Sequence, residues 1–222
     1  MNTASEPRRL RADAARNRQA LIDAAQRLLA SRGLAVTLDD IAAEAGVNVA
    51  TAYRHFANKH ELVGAFIQQK IEQAVAIAEQ AAVAGDPWQG LSDFLGRTLE
   101  LMVANRGLHD VFTPGYAEQW LEQLDERIEP ILRRLIRRGQ QAGVLRRDIE
   151  PGDLGVILQM LATVGDIPTD AQAELRRRYV DLMLAALRPS EQPLAGAAPS
   201  TKQARQATTT PAPRRGRRAS SR

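Results

Sequence analysis

The chain has 222 residues, 44% of them hydrophobic and only 4% aromatic, with no cysteine and a formal net charge of +4. That length is enough to bury a core as one small and one larger domain. The lack of cysteine excludes a disulfide framework, a thiolate metal site and a cysteine nucleophile, and fits a reducing cytoplasm. No apolar run approaches the ~20 residues of a membrane span, and the N-terminus lacks the apolar stretch of a signal peptide. Scarce aromatics and β-branched runs, with abundant Ala, Leu and Arg, point to an all-α protein. Charge is unevenly placed: residues 1–60 carry 9 Lys and Arg against 6 Asp and Glu, residues 61–188 carry 14 against 19, and residues 189–222 carry 7 against 1. Basic ends around an acidic middle suit a DNA-binding head on a regulatory body, because phosphates need neutralising only at the head.

Residues 1–15, with Arg8, Arg9 and Arg11, read as a disordered basic arm. Such an arm can lie in a minor groove beside the main contact, or be a solvated tail. From Arg16 to Ser31, Leu21, Ile22, Ala25, Leu28 and Leu29 form the stripe of a first helix that Gly33 ends.

The next stretch, TLDDIAAEAGVNVATAYRHF over residues 37–56, reads as a helix-turn-helix. Thr37 and Asp40 have capping-box spacing, and Asp39 and Asp40 suit the positive end of the helix dipole. Leu38, Ile41, Ala42 and Ala45 share one face, and Gly46 takes the left-handed position after the last turn. Asn48 is a strong N-cap for a second short helix, with Ala52 and Phe56 four apart on its inner face. Thr51, Arg54 and His55, with Tyr53 at the margin, are left outside, where hydroxyl, phenol, guanidinium and imidazole can meet phosphates and base edges in a major groove. Asn58, with Glu61 three residues on, then caps a long helix from Lys59 to about Ala82.

Over Ala20 to Leu62 the chain resembles the DNA-binding domain of the TetR family of bacterial transcriptional regulators, whose recognition helix ends in T-x-Y-x-x-F followed by Lys and an acidic-Leu pair. Here these are Thr51, Tyr53, Phe56, Lys59 and Glu61-Leu62. The resemblance implies that Tyr53, His55 and Lys59 touch the DNA backbone and that Thr37 starts a phosphate-binding helix. Asn48 replaces the common Ser, and Ala52 a larger aliphatic. Asn still caps, and Ala still faces inward. The domains expected are a three-helix head over 16–60 and a helical ligand-binding and dimerisation body over 61–188.

In the body, Leu62, Phe66, Ile67, Ile71, Val75 and Ala78 give the long helix an inner side. Gly85-Asp86-Pro87 breaks it, with Pro87 suited to the first position of a helix running to Ala104. Residues 106–115 read as a connector. Tyr116, Trp120, Leu124 and Ile128 recur every four residues. Pro130 then either starts a new helix or kinks a long one. Residues 133–154 resemble, more loosely, the TetR regulatory domain. Helices over 152–164 and 171–187 follow, and the resemblance implies that they form a homodimer across a two-fold axis, which would read a near-palindromic operator. Residues 189–222 lack apolar periodicity and read as a disordered basic tail, adding nonspecific DNA affinity or only solubility.

Enzyme chemistry finds little support. His55, His60 and His109 lack ligand spacing with carboxylates, no glycine-rich phosphate loop is present, and the pairs Asp39-Asp40 and Asp125-Glu126 read as solvated helix surface. No catalytic residue, metal ligand or cofactor is expected. The expectation is therefore a dimeric DNA-binding repressor released by a small apolar or aromatic effector. Its cavity would lie between 87–104, 109–128 and 130–142, with Trp88, Phe94, Met102, Phe112, Tyr116, Trp120 and Met160 as candidate walls. A plain core role fits the same residues. The contrasting reading is an architectural DNA-binding protein without sequence preference or ligand switch.

Overall fold

The computed structural model describes residues 6–105, 118–164 and 172–209. Their secondary structure is helical throughout: α1 (Glu6–Arg32), α2 (Leu38–Ala45), α3 (Val49–His55), α4 (Lys59–Val83), α5 (Pro87–Ala104), α6 (Glu118–Gln141), α7 (Pro151–Val164), α8 (Gln172–Ala186) and α9 (Thr201–Thr209). No described helix is long and apolar enough to cross a membrane.

The head closes around α1. Leu21, Ala24, Ala25 and Leu29 have no exposed surface and meet Ile41, Ala42 and Ala52 from α2 and α3 and Phe56 just after α3. Arg27 pairs with Glu44 at 3.0 Å, tying α1 to α2 on the outside. Gly33, at φ 62°, releases the chain from α1 into a single 3-10 turn over Gly33–Ala35. The expected arm over 1–15 is not what the structure has from residue 6 onward, because α1 already begins at Glu6. Residues 11–20 of this helix include no buried side chain, so apolar periodicity carries little trace of its outer half. The helix propensity of Arg, Ala and Leu is enough to extend α1 outward.

Helix α4 joins head and body, packing on α1 at one end and on α5 and α6 along its length. Leu62, Val63, Phe66 and Ala78 on it are fully buried. Asp86 accepts from the Trp88 amide at 2.8 Å and Pro87 opens α5, so the break in the sequence becomes a tight corner. At that corner Gly90 lies so close to α4 that an added Cβ would come within 2.5 Å of the Ala81 carbonyl oxygen. Arg138 of α6 donates to the carbonyls of Ala82 and Ala84 at 2.5 and 2.6 Å, satisfying the C-terminal end of α4. Pro130 lies inside α6, so the chain there is one helix and not two.

The tail also differs from its expected disorder. After Leu187, itself buried, residues 188–200 cross the body and α9 docks on α6 and α7. Arg146 anchors this crossing, pairing with Asp148 at 2.6 Å and donating to the Gln192 carbonyl at 3.0 Å, while Asp148 accepts from the Leu194 amide at 2.8 Å. The connector over 106–115, with His109, and the candidate walls Phe112 and Tyr116 lie outside the described residues, as do 1–5 and 210–222.

Candidate nucleic-acid interface and internal cavity

The outer face of the head is built by caps. Thr37 Oγ1 accepts from the Asp40 amide at 3.1 Å, and the Asp40 carboxylate accepts from the Thr37 amide at 2.9 Å, closing a capping box. Gly46, at φ 65°, ends α2, and the Val47 amide reaches back to the Ala42 carbonyl at 3.0 Å. Asn48 Oδ1 accepts from the Ala50 amide at 2.9 Å and opens α3. Asn58 Oδ1 accepts from the Glu61 amide, also at 2.9 Å, and opens α4. With Ala52 and Phe56 sealed inside, α3 turns the opposite face outward.

On that face Tyr53 is 50% exposed and Arg54 is exposed, while Thr51 and His55 are half-buried. Arg54 donates to Thr51 Oγ1 at 2.8 Å, so the two form one polar unit. Lys59 follows at the start of α4, half-buried. Two hydroxyls among these candidates already donate to acids of α2. The Thr37 hydroxyl donates to Asp40 at 2.6 Å, and these bonds to Thr37 hold the Asp40 carboxyl below the usual carboxylate range. The Tyr53 phenol bonds to Asp39, which raises its pKa. A phosphate would have to replace a carboxylate at each hydroxyl. The capping-box spacing gave the Thr37–Asp40 pair, whereas Asp39 was placed only as a favourable dipole partner. The hold of Asp39 on Tyr53 depends on how α2 crosses α3.

In the body, a partly open cavity of about 440 Å³ lies among α4, α5, α6, α7 and α9. Its apolar lining includes Ile71, Phe94, Met102, Leu124, Ile128 and Leu158, and its polar lining includes Lys70, Thr98, Asp125, Gln159 and Arg205. Of the candidate walls, Phe94 and Met102 line it. Trp88 instead carries the Arg188 guanidinium 3.5 Å above its ring. Trp120 packs against α4, with its ring centroid 5.2 Å from that of His60 and its side chain over Gly64. Met160 is 48% exposed.

The reading of Asp125-Glu126 as solvated surface holds for Glu126 but not for Asp125. Asp125 is half-buried at the cavity wall, where burial raises its carboxyl pKa against the opposing pull of Arg205. Thr98 Oγ1 is buried without a hydrogen-bond partner. Burial also lowers the Lys70 ammonium pKa. Polar residues scattered over four helices leave no spacing signal, which is why Lys70, Thr98 and Arg205 were not picked out as cavity residues and Asp125 was read as solvated surface. No group of His, Asp or Glu able to hold a metal ion occurs among the described residues.

Comparison with known proteins gives two family matches: residues 21–66 match the bacterial regulatory proteins of the tetR family, and residues 86–189 match the C-terminal domain described as transcriptional regulator SbtR-like. The HTH-type transcriptional regulator BetI of Agrobacterium fabrum is 34% identical over 106 residues, 47% of this chain and 48% of that protein. BetI of Rhizobium meliloti is 33% identical over 126 residues, 54% of this chain and 57% of that protein. The chain thus spans about half the length of these curated relatives. Among solved structures, a TetR transcription regulatory protein from Mycobacterium vanbaalenii is 30% identical with a TM-score of 0.59, covering 81% of this chain and 99% of that one. A TetR transcriptional regulator from Streptomyces coelicolor is 25% identical with a TM-score of 0.61, covering 78% and 99%. These regulators are not enzymes, and on the helix-turn-helix geometry and the full-length likeness together, this chain belongs to the TetR family of transcriptional regulators.

Proposed function

We propose that the chain is a cytoplasmic, dimeric repressor whose DNA affinity falls when a small molecule enters the body cavity. One observation carries this reading: α4 starts beside the recognition helix at Lys59 and, roughly 17 Å further along its axis, walls the cavity with Ile67, Lys70, Ile71 and Ala74. A ligand that alters the packing at one end of a stiff helix moves the other end, and with it α3. Thr37, Asn48, Thr51, Tyr53, Arg54, His55 and Lys59 supply the contacts to a near-palindromic operator.

The dimer forms through α7 and α8. No residue of α8 is buried in the single chain, and Met160, Tyr179 and Leu182 are 48%, 37% and 54% exposed. Apolar side chains gathered on the last two body helices fit a partner surface. An effector screen on an operator complex tests the switch. Compounds that fill the cavity should raise the operator Kd by at least fivefold, within the range of ordinary allosteric coupling of about 5- to 150-fold. If compounds shown to bind the cavity leave operator affinity unchanged, cavity and head are not coupled.

A further inference from the structure

Helix α9 is a strange wall for a cavity. It is nine residues long, and isolated helices of that length are marginal in water. Of its described residues only Ala204 is buried. Polar register holds it instead. Thr201 Oγ1 donates to Glu129 at 2.6 Å and Arg205 Nε donates to Asp125 at 2.8 Å, so an i,i+4 pair on α9 meets an i,i+4 pair on α6. The chain entering α9 lies directly on α7, where a Cβ at Gly152 would collide with the Pro199 carbonyl and a Cβ at Gly155 would lie in ordinary contact, 3.6 Å from Ala204 Cβ. The helix therefore fits its seat while burying little apolar surface, as expected of an element from the low-stability end of a structure.

Resting on the reading of the cavity as the effector site, we infer that α9 is a lid whose Arg205 occupies the place of a ligand cation, and that the ligand is an organic cation, an amine or guanidinium on an apolar body, which displaces it. Arg205 and Asp125 are only 15% and 23% exposed, so the pair is made within the cavity wall. Glu122 and Glu129 stand near enough to push the Asp125 carboxyl pKa up, and Arg205 is the cation that opposes them. Without α9, a half-buried carboxylate with acidic neighbours faces the cavity, and such a group demands a cation. Phe94, Met102 and Leu158 offer the body of the ligand an apolar surface. The unpartnered Thr98 hydroxyl points to a polar atom on the bound molecule, since a buried hydroxyl ordinarily has a partner. Lys70, on α4, would repel a second positive group, which orients the cation toward Asp125.

The test uses the full chain without DNA, with hexylguanidinium and hexanoate as matched probes. Calorimetry should show hexylguanidinium binding to the native chain. Binding should be about tenfold tighter in Arg205→Ala, which lacks the internal competitor, and about tenfold weaker in Asp125→Asn. Arg205→Lys keeps a cation and should restore near-native affinity. Hydrogen exchange should show faster amide exchange over 201–209 when hexylguanidinium is present. Stronger binding of hexanoate, equal affinity across the variants, or unchanged protection of α9 would each overturn the inference. If hexylguanidinium binds as described but leaves operator affinity unchanged, the lid stands and the repressor switch fails. If operator release is driven by compounds with no cation and no dependence on Asp125, the switch stands and the lid falls.

Discussion

At the scale of single residues, two hydroxyls of the head are engaged by acids of α2. Asp39 engages the phenol that the family pattern assigns to the DNA backbone, and it is exposed where phosphates would arrive. Asp39→Asn keeps an acceptor for Tyr53 and removes the charge, so operator affinity should rise about threefold, the size of a surface electrostatic effect of ~0.7 kcal/mol. Fluorescence anisotropy at low and physiological salt would read it. A loss of affinity would mean that the charge is needed to position Tyr53. In the body, Thr98 carries a buried hydroxyl with no partner. Thr98→Val should stabilise the ligand-free protein by about 1 kcal/mol, the order of an unsatisfied buried polar group. A urea midpoint that falls instead would mean the hydroxyl makes a bond in solution.

At the scale of elements, α4 is tied to α6 by a two-pronged pair, Arg127 to Glu72 at 2.6 and 2.8 Å. These bonds, with a further one from Gln68, hold the Glu72 carboxyl at about 2 against its ordinary 4.5. A carboxylate with a lowered pKa in the folded state adds stability above its unfolded pKa, and that contribution is lost as pH falls through the folded value. The Tm of the native chain should therefore exceed that of Glu72→Gln above pH 5, and the gap should close between pH 4.5 and 2. A gap that persists at pH 2 would place the effect of the substitution elsewhere. The short helices α2 and α3 and the start of α4 were legible because their caps, Thr37, Gly46, Asn48 and Asn58, are local devices written in adjacent residues. The outer half of α1 and all of α9 were not. Neither has an apolar stripe, and α9 is held by Thr201 and Arg205 bonding to Glu129 and Asp125, partners about seventy to eighty positions away. The cavity was legible only in part, as a space bounded by α5 and α6, whereas its walls from α4, α7 and α9 were not. Phe94 and Met102 could be picked out as large and apolar, whereas Trp88 and Trp120 went to surface packing with Arg188, His60 and Gly64 that only the assembled helices create.

At the scale of the whole molecule, the proposed repressor is a two-fold reader of DNA with a cavity in its body. Apolar side chains left open on α7 and α8 should be closed by a second copy. Leu182→Glu should shift the protein to monomer in sedimentation at micromolar concentration and weaken operator binding roughly a hundredfold, because one head alone loses the tethered second contact. A variant that stays dimeric would move the interface elsewhere. Sequence-specific DNA binding itself is tested most directly by titrating the purified protein against the DNA immediately upstream of its own gene, with excess scrambled competitor at physiological salt. Competitor-resistant binding to a near-palindrome is expected, weakened by about 1–3 kcal/mol for each substituted base pair. Binding that the scrambled competitor removes, at that DNA and at every site recovered by genome-wide selection, would contradict it.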